Sequence, residues 1–148
     1  MKNASVKIVR DGMMDPMLVA CPSFVPQWDA FLTEWVGNPV LLDGGDGSLP
    51  IYLALSDLAN HLIAKLERGA TEDFPSVFRV VERWIGEGDA YVSEAAVLGL
   101  VEDLSGPRYT SASPEDMKAW LGPQARQGWD EVVDFWDQLK TGKFRPLP

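Results

Sequence analysis

The sequence predicts an all-α protein, and three observations lead to this fold class. Apolar residues recur at intervals of three and four through most of the chain, which is the spacing of one face of a helix. Gly and Pro residues divide these segments into runs of helical length. No segment shows a convincing alternation of apolar and polar residues, the pattern of a half-buried strand. We expect about six helices in antiparallel hairpins, either HEAT-like or as an irregular helical bundle.

The domain organisation follows from length and periodicity. A chain of 148 residues with 46% hydrophobic residues suits one domain with a sizeable core. Residues 1–20 show no sustained period and contain Asp15-Pro16, so we expect a poorly ordered N-terminal arm there. Met14 is also a possible start of the native chain, which leaves open whether residues 1–13 belong to it. A single helical domain is predicted over residues 21–140, followed by a C-terminal tail at 141–148.

Two helices are predicted before the middle of the chain. The first runs from Ser23 to Val36 and ends at Gly37-Asn38-Pro39. The second runs from about Leu49 or Pro50 to Glu67, and Gly69 suits the position just after its end. One face of the first helix is strongly aromatic and consists of Phe24, Trp28, Phe31, Leu32 and Trp35.

The rest of the chain is organised around residues 73–104, which indicate two helices joined by one tight turn. Asp73 is a credible N-cap for the first of them. Residues 86–89, Gly-Glu-Gly-Asp, interrupt the periodicity, and Asp89 can cap the helix that follows. Residues 90–104 are apolar on almost all sides, so this helix is expected at the centre of the fold. Its small residues, which would let another helix approach closely, are Ala95, Ala96 and Gly99.

Two further helices are predicted near the C-terminus. Ser113 is a strong N-cap, with Pro114 at the first helical position and acidic residues in the first turn. This helix is about two turns long and ends at Gly122, where Pro123 opens the last helix. The predicted core stripe of the last helix consists of Trp129, Val132, Val133, Trp136 and Leu139.

The composition favours some function classes and opposes others. A net charge of −9 repels phosphate backbones, so no nucleic-acid binding is expected. The same charge favours encounter with a basic partner protein, although it can also serve solubility alone. The chain shows no signal-peptide pattern and no apolar run long enough for a membrane span, which predicts a cytoplasmic protein. The single Cys21 excludes an internal disulfide.

Candidate metal sites are weak. The acidic, Gly-rich residues 43–47 could hold Ca²⁺, but they lack the alternating ligands of an EF-hand and are interpreted as a loop. Asp57 and His61 lie on one face of the second helix at i and i+4. They could ligate a metal, but we favour a hydrogen bond between His61 and Asp57. No cofactor, metal or catalytic residue is predicted.

Two carboxylates lie on the otherwise apolar central helix. Glu94 and Glu102 flank Leu98, and burying a carboxylate costs several kcal/mol unless it is paired. At least one of them is expected to meet a helix N-terminus or an arginine, the candidates being Arg79, Arg83 and Arg126. The alternative is that they are presented to a partner or ligand.

The chain contains six Trp, and most lie on predicted core stripes. Aromatic residues dominate binding hot spots, so one or two exposed Trp would mark a surface for a partner. Trp120, in the short helix, has the weakest periodic support for a core position.

Several motifs resemble a known class of proteins. They are Phe78-x3-Glu82, Gly88-Asp89, Val92-x-Glu94-Ala95-Ala96-x-x-Gly99-Leu100-x-Glu102-x-Leu104, and Leu121-Gly122-Pro123-x5-Trp129-x5-Phe135-Trp136. Across residues 50–138 the chain resembles small bacterial helical proteins of a domain-of-unknown-function class that look like immunity proteins of polymorphic toxin systems. The resemblance implies an all-α, non-enzymatic protein that binds and blocks a cognate toxin, and it implies no catalytic residues.

Three functional hypotheses follow. The first is a protein-binding module of the immunity type that neutralises a basic toxin. Its predicted partner-binding residues are Glu87, Asp89, Glu94, Glu102 and Trp120. The second is a homo-oligomeric structural or adaptor protein, in which an exposed apolar face makes a homodimer. The third is a metal-dependent hydrolase that uses Asp57, His61 and helix carboxylates such as Glu82 or Glu102.

Overall fold

The computed structural model describes residues 7–42 and 47–141. No strand occurs within these ranges, where a single isolated bridge joins Ile8 and Gly88. The predicted all-α fold class is therefore confirmed. The helices are α1 (Met14–Ala20), α2 (Val25–Trp35, entered through the 3₁₀ turn Pro22–Phe24), α3 (Pro39–Leu42), α4 (Ile51–Glu67), α5 (Phe74–Glu87), α6 (Ala90–Glu94), a π-helical segment (Ala95–Val101), α7 (Glu102–Ser105), α8 (Pro114–Lys118) and α9 (Pro123–Thr141).

The helix α6, the π-helical segment and α7 form one continuous helix over residues 90–105, which we call the central helix. The Asp89 side chain caps it by accepting a hydrogen bond from the Val92 N–H at 2.9 Å, as predicted. Gly99 is buried where the central helix meets α4, and a Cβ there would lie 2.9 Å from Leu55 Cδ1. The close approach expected at the small residues is therefore present. The π-helical geometry was not predicted, since the apolar pattern does not distinguish it from α-helix.

The α4 helix runs in the same direction as the central helix. The Tyr52 and Tyr91 rings meet near the start of both helices, with centroids 6.1 Å apart. Asn60, later in α4, accepts a hydrogen bond from Arg108, which follows the end of the central helix. The hairpin predicted at residues 86–89 joins α5 to the central helix in the antiparallel sense. Because neighbours of both directions surround the central helix, the arrangement is an irregular bundle.

The α9 helix also runs parallel to the central helix and packs along it. A Cβ at Gly128 would lie 3.0 Å from both Val97 methyl groups, so Gly128 allows close contact near the start of α9. Farther along, the Trp136 indole reaches Glu102 of α7. The two pairs follow the same order in both helices, which establishes the relative direction.

The N-terminal segment differs from the expected poorly ordered arm over the residues that the structure describes. Met13, Met14 and Met17 are buried in the core, the last two within α1. The buried Trp84 indole donates a hydrogen bond to the Met13 carbonyl at 2.9 Å, and Ile8 pairs with the backbone beside Gly88. The low periodicity of this segment was misleading, because a seven-residue helix buries its few methionines without showing a repeated stripe. Residues 1–6 lie outside the described ranges.

Two further terminal signals beside Asp89 are confirmed, and one is wrong. Ser113 forms a complete capping box with Asp116, and Gly69 adopts a φ of +77° after α4, both as predicted. The prediction that Asp73 caps α5 is wrong, because its side chain makes no capping bond and lies 3.8 Å from the Lys65 ammonium. Residues 43–46 of the predicted Gly-rich loop at 43–47, and the tail beyond Thr141, lie outside the described residues.

Candidate functional site

The N-terminus of α9 is held by a carboxylate from α5. Glu82 accepts hydrogen bonds from the Gln124 N–H at 3.1 Å and from the Ala125 N–H at 2.7 Å. These are two of the N–H groups that lack a partner within the helix, and the negative charge is favourable at this end of the helix dipole. Gly122 makes the approach possible, because a Cβ there would lie 2.5 Å from the Glu82 carboxyl carbon. This contact fixes where α9 starts.

The C-terminal half of α9 exposes three large apolar side chains. Trp136 is 46% exposed, Phe135 43% and Leu139 40%, whereas Trp129 and Val132 in the first half are buried. The prediction that Trp136 and Leu139 belong to the core is therefore wrong. The periodic stripe is real, but it continues past the part of α9 that the bundle covers. Trp120 and Trp136 are the Trp residues that remain at least 36% exposed in the described part of the chain, and an exposed Trp is the feature that would mark a partner surface.

Trp136 is held in place by Glu102. The indole N–H donates a hydrogen bond to Glu102 Oε2 at 2.8 Å, and the Phe135 ring packs edge-on with a centroid distance of 5.7 Å. Leu98, one turn before Glu102 on the central helix, is 46% exposed. We call the set formed by Leu98, Glu102, Phe135, Trp136, Asp137 and Leu139 the α9 surface. It combines exposed apolar groups with carboxylates.

A groove of about 430 Å³ runs beside this surface between α7, the loop at 106–108 and α9. We call it the α9 groove. Its lining includes Glu102, Pro107, Trp136, Asp137 and Lys140. A second groove of about 420 Å³, between α8 and α9, shares Ser105, Val133 and Asp137 with it. The volumes fall within the range of ligand-binding clefts.

Carboxylates outnumber the available cations in the α9 groove. Asp103 is paired with Arg108 at 3.2 Å, and Arg108 also donates to Asn60 at 2.8 Å. Within the described part of the chain, no cation lies within ion-pair distance of Asp137, and Glu102 has only the indole N–H as a side-chain partner. Lys140, one turn after Trp136, is the other cation that lines the groove. The local charge therefore favours a positively charged ligand.

The loop that forms one wall of the groove is tied to α4 by Glu67. Its carboxylate accepts hydrogen bonds from the backbone N–H groups of Thr110, Ser111 and Ala112 and from the Thr110 hydroxyl. The backbone hydrogen bond from Thr110 is the main cause that holds the pKa of Glu67 below its ordinary value. Tyr109 anchors the same loop by donating to the Leu104 carbonyl, and burial raises the pKa of its phenol.

The five predicted partner-binding residues do not form one surface. Glu87 is exposed at the end of α5 and lies 3.5 Å from Arg83, whereas Asp89 is half-buried because it caps the central helix. Glu102 lies about 20 Å from Asp89 along that helix, at about 1.5 Å per residue. Only Glu102 of the five belongs to the α9 surface.

The two remaining members of that predicted set have different surroundings. Glu94 is exposed near Tyr52, and its charge contributes, after burial, to raising the pKa of that phenol. Trp120 is 36% exposed and packs edge-on against Phe74 of α5, with ring centroids 5.4 Å apart. Trp120 therefore closes the core at the start of α5 and leaves one edge open.

The predicted ion pairs of the central helix are absent from the described structure. Arg79 donates to Ser76, Arg83 to Glu87, and Arg126 to the Leu121 and Ala119 carbonyls at the end of α8. Glu94 and Glu102 need no such partners because neither is fully buried. The carboxylate that meets the N-terminus of a helix distant in sequence is Glu82, which the sequence analysis placed in a resemblance motif and among the carboxylates of the hydrolase hypothesis.

His61 lies in a different polar cluster from the one predicted. Its Nε2 is 2.8 Å from Ser23 Oγ and its Nδ1 is 3.0 Å from Gln27 Nε2, so the expected bond to Asp57 is not formed. Burial, followed by the charges of Lys65 and Arg68, lowers the pKa of His61. No group of three His, Cys, Asp or Glu among the described residues could hold a metal.

The carboxylates suggested with His61 for a hydrolase are also dispersed. Glu82 caps α9 and Glu102 holds Trp136, so these side chains and His61 belong to three separate networks.

None of the helices over residues 7–42 and 47–141 has the length and apolar character to cross a membrane.

Sequence reasoning missed Trp136 and Asp137 as site residues. The available signal was the acidic flank of the last stripe, where Asp134 and Asp137 surround Trp136. The buried Trp129 is likewise followed directly by an acidic residue, Asp130, so this signal alone does not separate an exposed Trp from a buried one.

Comparison with known proteins finds no curated protein and no solved structure that matches the chain. The model of one family, the domain of unknown function DUF7674, matches residues 14–137 and therefore most of the chain, from α1 to the last turns of α9. The expectation of a domain-of-unknown-function class is thereby confirmed. The chain belongs to the DUF7674 family.

Proposed function

We propose that this protein is a non-enzymatic binding module whose α9 surface binds a basic partner protein. The observation that carries the proposal is Trp136, which is 46% exposed, oriented by Glu102 and bordered by Asp137. Exposed aromatic side chains that are already held in one orientation are typical binding hot spots, since little conformational entropy is lost when they are covered. The resemblance to immunity proteins supports a toxin as the partner, neutralised by occlusion of its basic surface.

A few residues of the α9 surface would contribute most of the binding free energy. A stable protein interface buries about 1,200–2,000 Å² in total, and only a few of its residues contribute strongly to affinity. Trp136, Phe135 and Leu139 supply the apolar centre, and Leu98 is a further exposed apolar residue on the central helix. Removing the indole from such a centre costs about 2 kcal/mol or more, which is roughly a 30-fold weaker Kd.

The net charge of −9 selects the partner. Complementary charge speeds association, whereas like charges brought together weaken binding. A second copy of the chain would bring another surface with the same excess of carboxylates, so we expect a monomer at micromolar concentration. Light scattering measures this directly, and a concentration-dependent dimer would instead support the homo-oligomeric adaptor.

The test begins with affinity capture of the tagged protein, in low salt, from the cells in which it occurs. The captured protein is then purified, and its binding is measured with matched variants. Trp136→Ala is compared with Trp120→Ala, because both remove a partly exposed indole from a different surface. Asp137→Lys is compared with Asp29→Lys, because both reverse one exposed carboxylate and Asp29 lies on α2, outside the α9 surface.

We expect one basic polypeptide at a ratio near one to one. Trp136→Ala should weaken its binding by roughly 30-fold or more, and Asp137→Lys should slow its association in low salt. The two control variants should behave as the unmodified protein does. Equal loss with Trp120→Ala, or unchanged association with Asp137→Lys, would show that the partner uses another surface. An acidic partner would contradict the electrostatic basis of the proposal.

A further inference from the structure

We infer that the α9 groove is a receptor for a single arginine side chain, which the partner inserts between the Trp136 indole and the Asp137 carboxylate. This inference rests on the proposed function and deepens it, because it specifies the chemical group by which the partner is recognised. It depends on the geometry of three residues, Trp136, Glu102 and Asp137, and on the balance of charge around them.

The Trp136 indole is held in one orientation beside the groove. The hydrogen bond from the Trp136 N–H to Glu102 turns the polar edge of the ring toward α7 and fixes the ring plane. Phe135 packs edge-on against it, with planes at 76°. With its edge bonded and 46% of the residue exposed, Trp136 presents aromatic surface to the groove that it lines. Tryptophan is the most favourable ring for a cation placed within about 6 Å of its centroid.

The side chains that line the α9 groove carry more negative than positive charge. Asp103 is paired with Arg108, which also donates to Asn60, so the charges of these two residues largely cancel in the groove. Two lining carboxylates remain without a cationic partner among the described residues, Glu102 and Asp137. Glu102 uses Oε2 for the indole, so Oε1 remains able to accept a bond from the ligand. Asp137 follows Trp136 directly and lines the same groove.

The shape of a guanidinium suits the groove better than that of an ammonium. A guanidinium is planar, stacks on aromatic faces and donates hydrogen bonds in its plane, so one group can contact the indole and a carboxylate together. An ammonium is a compact, strongly hydrated charge and makes the two contacts less well together. A groove of about 430 Å³ accommodates the whole side chain and part of its neighbouring backbone. Lys140, which also lines the groove, opposes the incoming charge and limits the affinity.

The test uses the full chain with N-acetyl-arginine methylamide as the probe. Its neutral isostere, N-acetyl-citrulline methylamide, has the same length and planarity without the charge, and the lysine analogue has the charge without the planarity. Two-dimensional NMR of the indole N–H groups follows the six Trp separately, and the Trp136 signal is assigned by its absence in Trp136→Phe. The variants are Asp137→Asn, its matched control Asp29→Asn, and Lys140→Gln.

We expect the arginine probe to shift the Trp136 indole signal with saturation in the millimolar range. Binding of the lysine analogue should be several-fold weaker, and the citrulline analogue should give no saturation. Asp137→Asn should weaken arginine binding several-fold, Asp29→Asn should leave it unchanged, and Lys140→Gln should tighten it. The inference is overturned if citrulline binds as well as arginine, if other Trp signals shift instead, or if Asp137→Asn and Asp29→Asn are equivalent.

Failure of the inference is distinguishable from failure of the proposed function. If the arginine probe does not bind but Trp136→Ala releases the protein partner, the α9 surface is the interface and the arginine site is wrong. If the probe binds but Trp136→Ala and Asp137→Lys retain the partner fully, the groove binds arginine, but the partner does not insert one there and the proposed interface is wrong.

Discussion

The contact between Glu82 and the start of α9 provides the most direct test of how the α9 surface is positioned. Glu82→Ala removes both hydrogen bonds to the backbone, at 3.1 Å from Gln124 N and 2.7 Å from Ala125 N. The loss of a helix cap costs about 0.5–2 kcal/mol, and a hydrogen bond to a charged group contributes about 1.5–3 kcal/mol. Because Glu82 is only half-buried, we expect the free energy of unfolding to fall by about 2 kcal/mol.

Gly122→Ala should have a similar cost for a different reason. The new methyl group would lie 2.5 Å from the Glu82 carboxyl carbon and 2.6 Å from its Cγ, so the carboxylate must move away from the N–H groups. Gly122 does not have a positive φ, so alanine causes no backbone strain of its own. In a Glu82→Ala background the obstructing atoms are missing, and Gly122→Ala should then cost less than about 0.5 kcal/mol.

Urea denaturation of the four proteins, followed by far-ultraviolet circular dichroism, measures this double-mutant cycle. A change of about 2 kcal/mol corresponds to a Tm shift of about 4–8 °C for a domain of this size. Glu82→Gln is the control, because it keeps the shape of the side chain and retains one of the two acceptor oxygens. Its free energy of unfolding should lie between those of the unmodified protein and Glu82→Ala. Strictly additive effects of Gly122→Ala and Glu82→Ala would refute the proposed contact.

Three further predictions concern the attachments of other elements. The pKa of His61 is lowered in the folded state, so neutral His61 contributes stability that is present above the unfolded pKa of 6.5 and is lost as the pH falls below that value. The loss of unfolding free energy between pH 7.5 and 5.5 should therefore be smaller in His61→Gln than in the unmodified protein. Equal losses in the two proteins would contradict this prediction. The pKa of Glu67 is also lowered, so its contribution is present above about 4.3 and is lost as the pH falls toward its folded value; Glu67→Gln should speed amide exchange at Thr110 and Ser111 at neutral pH, and unchanged rates there would argue against the tie. Trp84→Phe leaves the Met13 carbonyl without its donor and should cost about 1–3 kcal/mol; hydrogen exchange should show α1 opening more readily, and unchanged protection of α1 would show that it is held by other contacts.

Most helices could be predicted from the sequence because their signals are local. The Asp89 cap, the Ser113 capping box and the Gly69 turn each involve residues within a few positions of one another. Such interactions depend only on backbone geometry near the residue, so composition and spacing identify them. The cap predicted at Asp73 does not form, because the Asp73 carboxylate lies within ion-pair distance of Lys65, a residue of the preceding helix.

The candidate site could be predicted only in part. The sequence predicted Trp120 as a partner-binding residue and assigned Trp136 to the core stripe, whereas Trp136 is the more exposed of the two. Helical periodicity reports which residues share a face and contains no information on how far a neighbouring helix extends along that face. The same limit applies to Glu94 and Glu102, which share one face of the central helix and have different environments.

The sequence by itself therefore determined the all-α class, the central hairpin with its Asp89 cap, and the excess of negative charge. The tertiary structure alone decided that Glu82 starts α9, that Met13 and α1 belong to the core, and that Trp136 meets Glu102 across a separation of 34 residues. The physical reason is that local propensity and periodicity act over one or two turns of helix. Which side chains meet, and which remain exposed, is set by the relative lengths and directions of helices far apart in the chain.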